Sequence, residues 1–175
     1  FSNLSYAAAN ASNLFFFNDI LFENDPDTVI LRRPLSDRES LVSAAFIALS
    51  NGSFILGDDL TKLDNGKMDL LNSPLMKKLM NFRGRFIPLD FFEKVQAKVP
   101  HPVLDSVKNK FFHRGNTNLE LPELWLKEGT GKEHILGIFN WKSKDKKFEA
   151  DLKKLLADYL GGITSVTSLT LTGTG

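Results

Sequence analysis

Two short stretches concentrate the groups in this sequence that are able to do chemistry: Asn24-Asp25-Pro26-Asp27 and Gly57-Asp58-Asp59-Leu60. Each follows a brief apolar run, Ile20-Leu21-Phe22 in one case and Phe54-Ile55-Leu56 in the other. Carboxylates gathered on one face can accept hydrogen bonds from sugar hydroxyls, hold a divalent cation, or serve as acid and base. The same residues have plainer uses. Asp58 or Asp59 can cap the helix that follows, and Asp25 can fix a turn.

The surrounding elements decide whether these carboxylates meet. Leu4, Ala7, Ala8, Ala11, Leu14 and Phe15 fall on one helical face, so the chain opens in a helix. Residues 20–23 read as a strand running into the turn that Pro26 stiffens, and residues 28–33 extend from that turn. Ser36-Asp37-Arg38-Glu39 has the form of a capping box. The helix it starts buries Leu41, Ala44, Ala45, Ala48 and Leu49, and Asn51-Gly52 ends it. Phe54-Ile55-Leu56 then suits a strand covered on both faces, as in a parallel sheet. This alternation of helix, strand and acidic loop is the α/β pattern, in which sites form at the carboxyl ends of strands. Both acidic loops should then open on the same face.

Further along, a helical pattern runs from about 67 to 82, with Pro74 starting its second piece. Gly84, Pro88, Pro100 and Pro102 mark a change of character. Beyond it the hydrophobic period shortens towards two. Residues 111–113 and 165–172 read as strands, and 124–127 with 134–141 as a hairpin across Gly129-Thr130-Gly131. Residues 148–160 fit strand or helix equally. The expected organisation is α/β followed by all-β, with residues 1–90 as α/β units and 91–175 as an antiparallel β domain.

Composition narrows the classes of function. Twenty-two basic and 21 acidic side chains leave a net charge of +1, too little to steer the chain to nucleic acid or an anionic membrane. Without cysteine, disulfides, thiolate nucleophiles and Cys-based zinc sites are excluded. The apolar stretch 41–56 is too short and too interrupted to span a bilayer. His101, His113 and His134 lack the short intervals of a metal site. Lys142, Lys144, Lys146 and Lys147 read as a solvated turn. The sequons at Asn3, Asn10 and Asn51 carry no weight, since such triplets are common by chance. There is no initiator Met and no basic-then-apolar leader, and a helix opening at residue 1 reads as the start of a fragment.

Residues 15–27, Phe-Phe-Phe-Asn-Asp-Ile-Leu-Phe-Glu-Asn-Asp-Pro-Asp, resemble the segment around the seventh barrel strand of family 36 glycoside hydrolases, the melibiases or α-galactosidases. Residues 28–32, ending in Arg32, resemble the continuation of that segment. Leu35, Glu39 and the Gly57-Asp58-Asp59-Leu60 loop follow in the order and spacing of the family's eighth strand. Ile138-Phe139-Asn140-Trp141 is similar to a strand of its C-terminal β-sandwich. Phe22 stands where the family often has Trp, and Ile20 where Arg is seen.

The resemblance implies the C-terminal end of a (β/α)8 barrel plus an antiparallel β-sandwich domain. It implies a retaining glycosidase that releases terminal α-linked galactose without a cofactor or metal. The nucleophile and acid/base, about 5 Å apart in such enzymes, belong to the family's fourth and sixth strands and have no counterpart here. The chain then supplies substrate-binding groups. Asp27 is the first of them, Asn24 and Asp25 shape its loop, Arg32 is a candidate ion-pair partner, and Asp58 and Asp59 come second. The implied partners are an α-galactoside and the N-terminal part of the same protein.

Two other readings compete. Asp25-Pro26-Asp27-Thr28-Val29 imitates the nucleophile motif of haloacid-dehalogenase-type, Mg-dependent phosphohydrolases, and Gly57-Asp58-Asp59 imitates their metal loop. However, no Lys lies between Asp27 and Asp58, and the interval holds one helix and no additional strand. Alternatively, the chain is a non-catalytic carbohydrate-binding or structural β module, with Trp125 and Trp141 available to stack on sugar rings.

Overall fold

The computed structural model describes residues 2–94, 120–131, 133–142 and 144–160. The strands expected over 111–113 and 165–172, and His101 and His113, lie outside the described residues. The chain forms two compact units, Phe1–Phe139 and Asn140–Gly175.

In the first unit, helix α1 (Ser2–Leu14) runs into a 3-10 turn, Phe15–Phe17. Its buried face carries Leu4, Ala7, Ala8 and Ala11, as the spacing predicts, but Leu14 at its end is exposed and Phe15 lies in the 3-10 turn. The chain then departs from the sequence reading. Residues 20–22 form no strand. The amides of Ile20 and Leu21 donate back to the Phe17 carbonyl, and Asp19 donates to Phe22. With these amides and the Phe22 carbonyl bonded locally, the run joins no sheet, and Ile20 and Leu21 are exposed.

Helix α2 (Asp37–Leu49) begins with the expected capping box. Glu39 N–H donates to Ser36 Oγ, and the Glu39 carboxylate accepts from Ser36 N–H at 2.8 Å. That Ser36 amide bond, followed by the Ser36 hydroxyl, holds the Glu39 carboxyl below the usual carboxylate range. At the far end Asn51 adopts φ 65°, taking the left-handed position past the cap that glycine usually fills. Helices α3 (Asn65–Asn72) and α4 (Pro74–Asn81) are separated at Ser73, which caps α4 with Pro74 in its first turn.

Strands β1 (Gly84–Pro88), β2 (Leu124–Gly129) and β3 (His134–Ile138) form an antiparallel sheet in that order, β1 and β3 flanking β2. The β2–β3 hairpin is the one read from the sequence, with Leu124 opposite Ile138 and Glu128 opposite His134. The β1–β2 pairing, from Gly84↔Gly129 to Pro88↔Trp125, joins residues on either side of the boundary expected near 90. Helix α5 (Phe91–Lys94) follows β1.

The core joins helix to sheet. Phe46 of α2 is fully buried and meets Phe86, Trp125 and Phe139 edge-on, with ring centroids 5.3–5.7 Å apart. Trp125 also stacks on Phe86 at 4.5 Å, and its indole N–H donates to the Pro122 carbonyl. Lys127, two residues along β2, shares the face of Trp125 and is buried as well. Its ammonium donates to the Ala48 carbonyl in the last turn of α2 at 3.2 Å, where a helix leaves its acceptors unpaired.

The second unit contains helix α6 (Leu152–Leu160), which resolves the ambiguity over 148–160 in favour of helix. Asp151 accepts from the amides of Lys153 and Lys154, so a local cap decides what periodicity left open. Lys142, Lys144, Lys146 and Lys147 are exposed, in keeping with a solvated segment.

Candidate functional site

The two acidic loops are tied together by a short parallel pairing. Val29 N–H donates to Ile55 O at 2.8 Å, and Gly57 N–H donates to Val29 O at 2.9 Å. Residue 55 itself is half exposed, so the run 54–56 is not the doubly covered strand expected. Pairing Val29 with Leu56 also corrects the expected common face. Loop 24–27 leads into its extended segment, whereas loop 57–60 leaves the other. In a parallel pair they therefore sit at opposite ends, loop 24–27 before the bridge and loop 57–60 after it.

At one end stands Asp58. Its side chain is 1% exposed. Oδ2 accepts from the amides of Leu31 at 2.6 Å and Arg32 at 3.3 Å, and Oδ1 accepts from Arg32 Nη1 at 2.6 Å. Arg32 also donates to Gly57 O. Asp58 is thus a staple between two segments, and Arg32 is its partner rather than that of Asp27. A cation could reach Asp58 only by displacing these donors.

Gly57 permits the approach, since a Cβ there would lie 2.6 Å from Ile30 Cδ1. Asp59 caps the 3-10 turn Leu60–Lys62 by accepting from Thr61 N–H and Thr61 Oγ at 3.1 and 2.6 Å. The Thr61 hydroxyl, with Lys62 beside it, holds the Asp59 carboxyl below its usual range. An open depression of about 330 Å³ lies here, lined by Arg32, Gly57, Asp58, Asp59, Lys62 and Leu63. Both of its cations are paired within it, Arg32 with Asp58 and Lys62 with Asp59.

The other end has a different character. Asn24 N–H donates to Asn18 Oδ1 at 2.7 Å, Asp27 N–H to Asp25 Oδ1 at 2.9 Å, and Thr28 N–H to Asp27 Oδ1 at 2.7 Å. Asp25 fixes a turn, as the plainer reading allows, but no described residue engages Oδ2 of Asp25 or of Asp27. Both side chains are exposed. Asp27 adopts φ 69°, a left-handed conformation that costs a non-glycine residue about 1–3 kcal/mol in strain.

A second depression of about 330 Å³ is lined by Asn10, Ala11, Leu14, Phe22, Glu23, Asn24 and Asp25. Leu14 and Phe22 present exposed apolar surface beside amides and carboxylates. Asn24 and Asp25 were legible as candidates. Asn10, Leu14, Phe22 and Glu23 were missed, because the turn at 20–22 that brings Phe22 back beside α1 has no strong sequence signature. Asp27 stands next to this depression in sequence but does not line it.

Two further groups invite functional readings. Ser40 Oγ lies 2.7 Å from Lys67 Nζ, the spacing of a lysine-activated nucleophile. Ser40 is fully buried and bonded to the carbonyls of Leu31 and Ser36, while Lys67 also bridges to Asp37 at 2.7 Å. The pair is a structural bracket. Trp125, offered by the sequence as a sugar-stacking ring, is fully buried. Among the described residues no group of three or more His, Cys, Asp or Glu converges as a metal site. No described helix is long and apolar enough to cross a membrane. No protein-family model, curated protein or solved structure matches the chain.

Proposed function

We propose that this chain is the C-terminal part of a retaining α-galactosidase, contributing galactoside-binding groups rather than the nucleophile or acid/base. In this reading the α/β portion is the end of a (β/α)8 barrel and the later strands belong to a β-sandwich. The upstream part of the same protein supplies the catalytic pair. The resemblance over residues 15–60 suggests the family.

The observation that carries the reading is the depression beside loop 24–27. A pyranose offers hydroxyls on its rim and apolar C–H faces. Phe22 and Leu14 supply an apolar surface for such a face, and Asn10, Glu23, Asn24 and Asp25 supply donors and acceptors for the rim. Its volume is near the lower end of the roughly 300–1,000 Å³ of small-molecule sites, which suits a single terminal sugar. The strained backbone of Asp27, with one carboxylate oxygen uncommitted, is the kind of outlier that clusters at binding sites.

Hydrolysis of an aryl α-galactoside tests this proposal. The 175-residue chain alone should give no turnover. The polypeptide extended upstream to the expected catalytic strands should turn over, and its Asp27→Asn variant should lose about a hundredfold, roughly 3 kcal/mol of transition-state stabilisation. Activity on phosphate esters with Mg²⁺, and none on glycosides, would instead establish the phosphohydrolase reading.

A further inference from the structure

We infer that Asn18 is the positioning residue of the sugar-binding loop, and that a side-chain bracket running Asn18–Asp19–Asn51 holds loop 24–27 against the end of α2. The inference rests on the galactoside reading for its functional consequence, but its geometry stands independently.

Asn18 faces two ways. Its Oδ1 accepts from the Asn24 amide at 2.7 Å, and its Nδ2 donates to Asp19 Oδ2 at 3.1 Å. The same Asp19 oxygen accepts from Asn51 Nδ2 at 3.4 Å, and Asn51 Nδ2 also donates to the Gly84 carbonyl at the start of β1. The loop is therefore linked through three side chains to both the C-terminus of α2 and the edge of the sheet.

Glycine 52 closes the contact from the other side. A Cβ there would come within 2.2 Å of Pro26 Cδ and 2.6 Å of the Asn24 carbonyl, so the loop lies directly on the residue that follows Asn51. Asp19, Asp27 and Asn51 are the non-glycine residues with positive φ among those described, and all three belong to the bracket or the loop it holds. Strain of this kind persists only where neighbouring contacts over-determine it. Asn18 and Gly52 supply those contacts. Asn24 and Asp25, which line the depression, inherit their placement from them.

The test uses the full chain and two variants that act from opposite sides, Asn18→Ala and Gly52→Ala. Affinity for methyl α-galactoside is measured by calorimetric titration, and backbone order by amide hydrogen exchange. Each variant is expected to weaken binding by about tenfold, Asn18→Ala by losing one ordering hydrogen bond and Gly52→Ala by driving a methyl group into Pro26 and the Asn24 carbonyl. Exchange should accelerate together at Asn24, Asp27 and Thr28, while Phe46 and Trp125 keep their protection. Unchanged affinity with Asn24 still protected would overturn the inference, and so would acceleration spread equally through the core. If the wild-type chain binds no galactoside, the functional reading fails. The bracket is then judged by exchange alone, and it too fails unless both variants release loop 24–28 as a unit.

Discussion

Lys127 offers the sharpest quantitative test of the fold. It is buried in the face of β2 that covers α2, with Ala48 O as the acceptor for its ammonium. Burial pushes its pKa down from 10.5 to about 8, and Arg83 adds repulsion that Asp19 partly offsets. The folded pKa is thus below the unfolded one. Below about pH 8 both states hold the proton and the fold bears the full cost of a buried charge. Between about pH 8 and 10.5 only the unfolded chain remains protonated, so stability rises with pH across that window. The difference of 2.5 units corresponds to at most about 3 kcal/mol.

Lys127→Met keeps the length and removes the charge. It also leaves the Ala48 carbonyl without this donor, a loss of about 1–2 kcal/mol. The variant should therefore gain about 1–2 kcal/mol at pH 7, lose this advantage near pH 9, and be less stable than wild type by about 1 kcal/mol at pH 10. Urea unfolding of both proteins, followed by tryptophan fluorescence at pH 7, 8, 9 and 10, reads the difference directly. A pH-independent difference would refute the reasoning, as would a Met variant less stable than wild type by 2 kcal/mol or more at pH 7.

Two other perturbations probe the scaffold. Phe46→Ala removes a fully buried ring that touches Phe86, Trp125 and Phe139, and should cost about 3–5 kcal/mol in urea unfolding. A cost below 1 kcal/mol would show that this cluster does not hold α2 to the sheet. Asp58→Ala leaves the buried Leu31 amide and Arg32 without their shared acceptor and should cost about 2–3 kcal/mol. Its α-galactoside affinity should be unchanged, because the depression beside Asn24 and Asp25 lies at the other end of the paired segments.

What the sequence made legible was local. The capping box at Ser36 and Glu39, the Ser73-Pro74 helix start and the hairpin across residues 129–131 each depend on neighbours within a few positions. The misreadings are nonlocal. Ile20-Leu21-Phe22 has strand composition, yet the Phe17 carbonyl takes its amides first. That two carboxylate loops lie at opposite ends follows from Val29 meeting Leu56, a pairing that no residue in either loop announces. Asp58 staples two segments and Asp59 caps a 3-10 turn, and the capping role of Asp is itself a sequence rule. Lys127 is the instructive omission. Its spacing of two from Trp125 places it on the same face of β2, and that much was available from alternation alone, whereas its burial depends on α2 packing over that face.

Galactoside recognition by loop 24–27 is the central claim, and a chemical-shift titration of the chain with methyl α-galactoside tests it most directly. Saturable shifts are expected at Asn10, Leu14 and residues 22–27, weakened at least tenfold by Asp25→Ala, about 1.4 kcal/mol of binding energy. Shifts at Arg32, Asp59 and Lys62 instead, or a titration that Asp25→Ala leaves untouched, would contradict it.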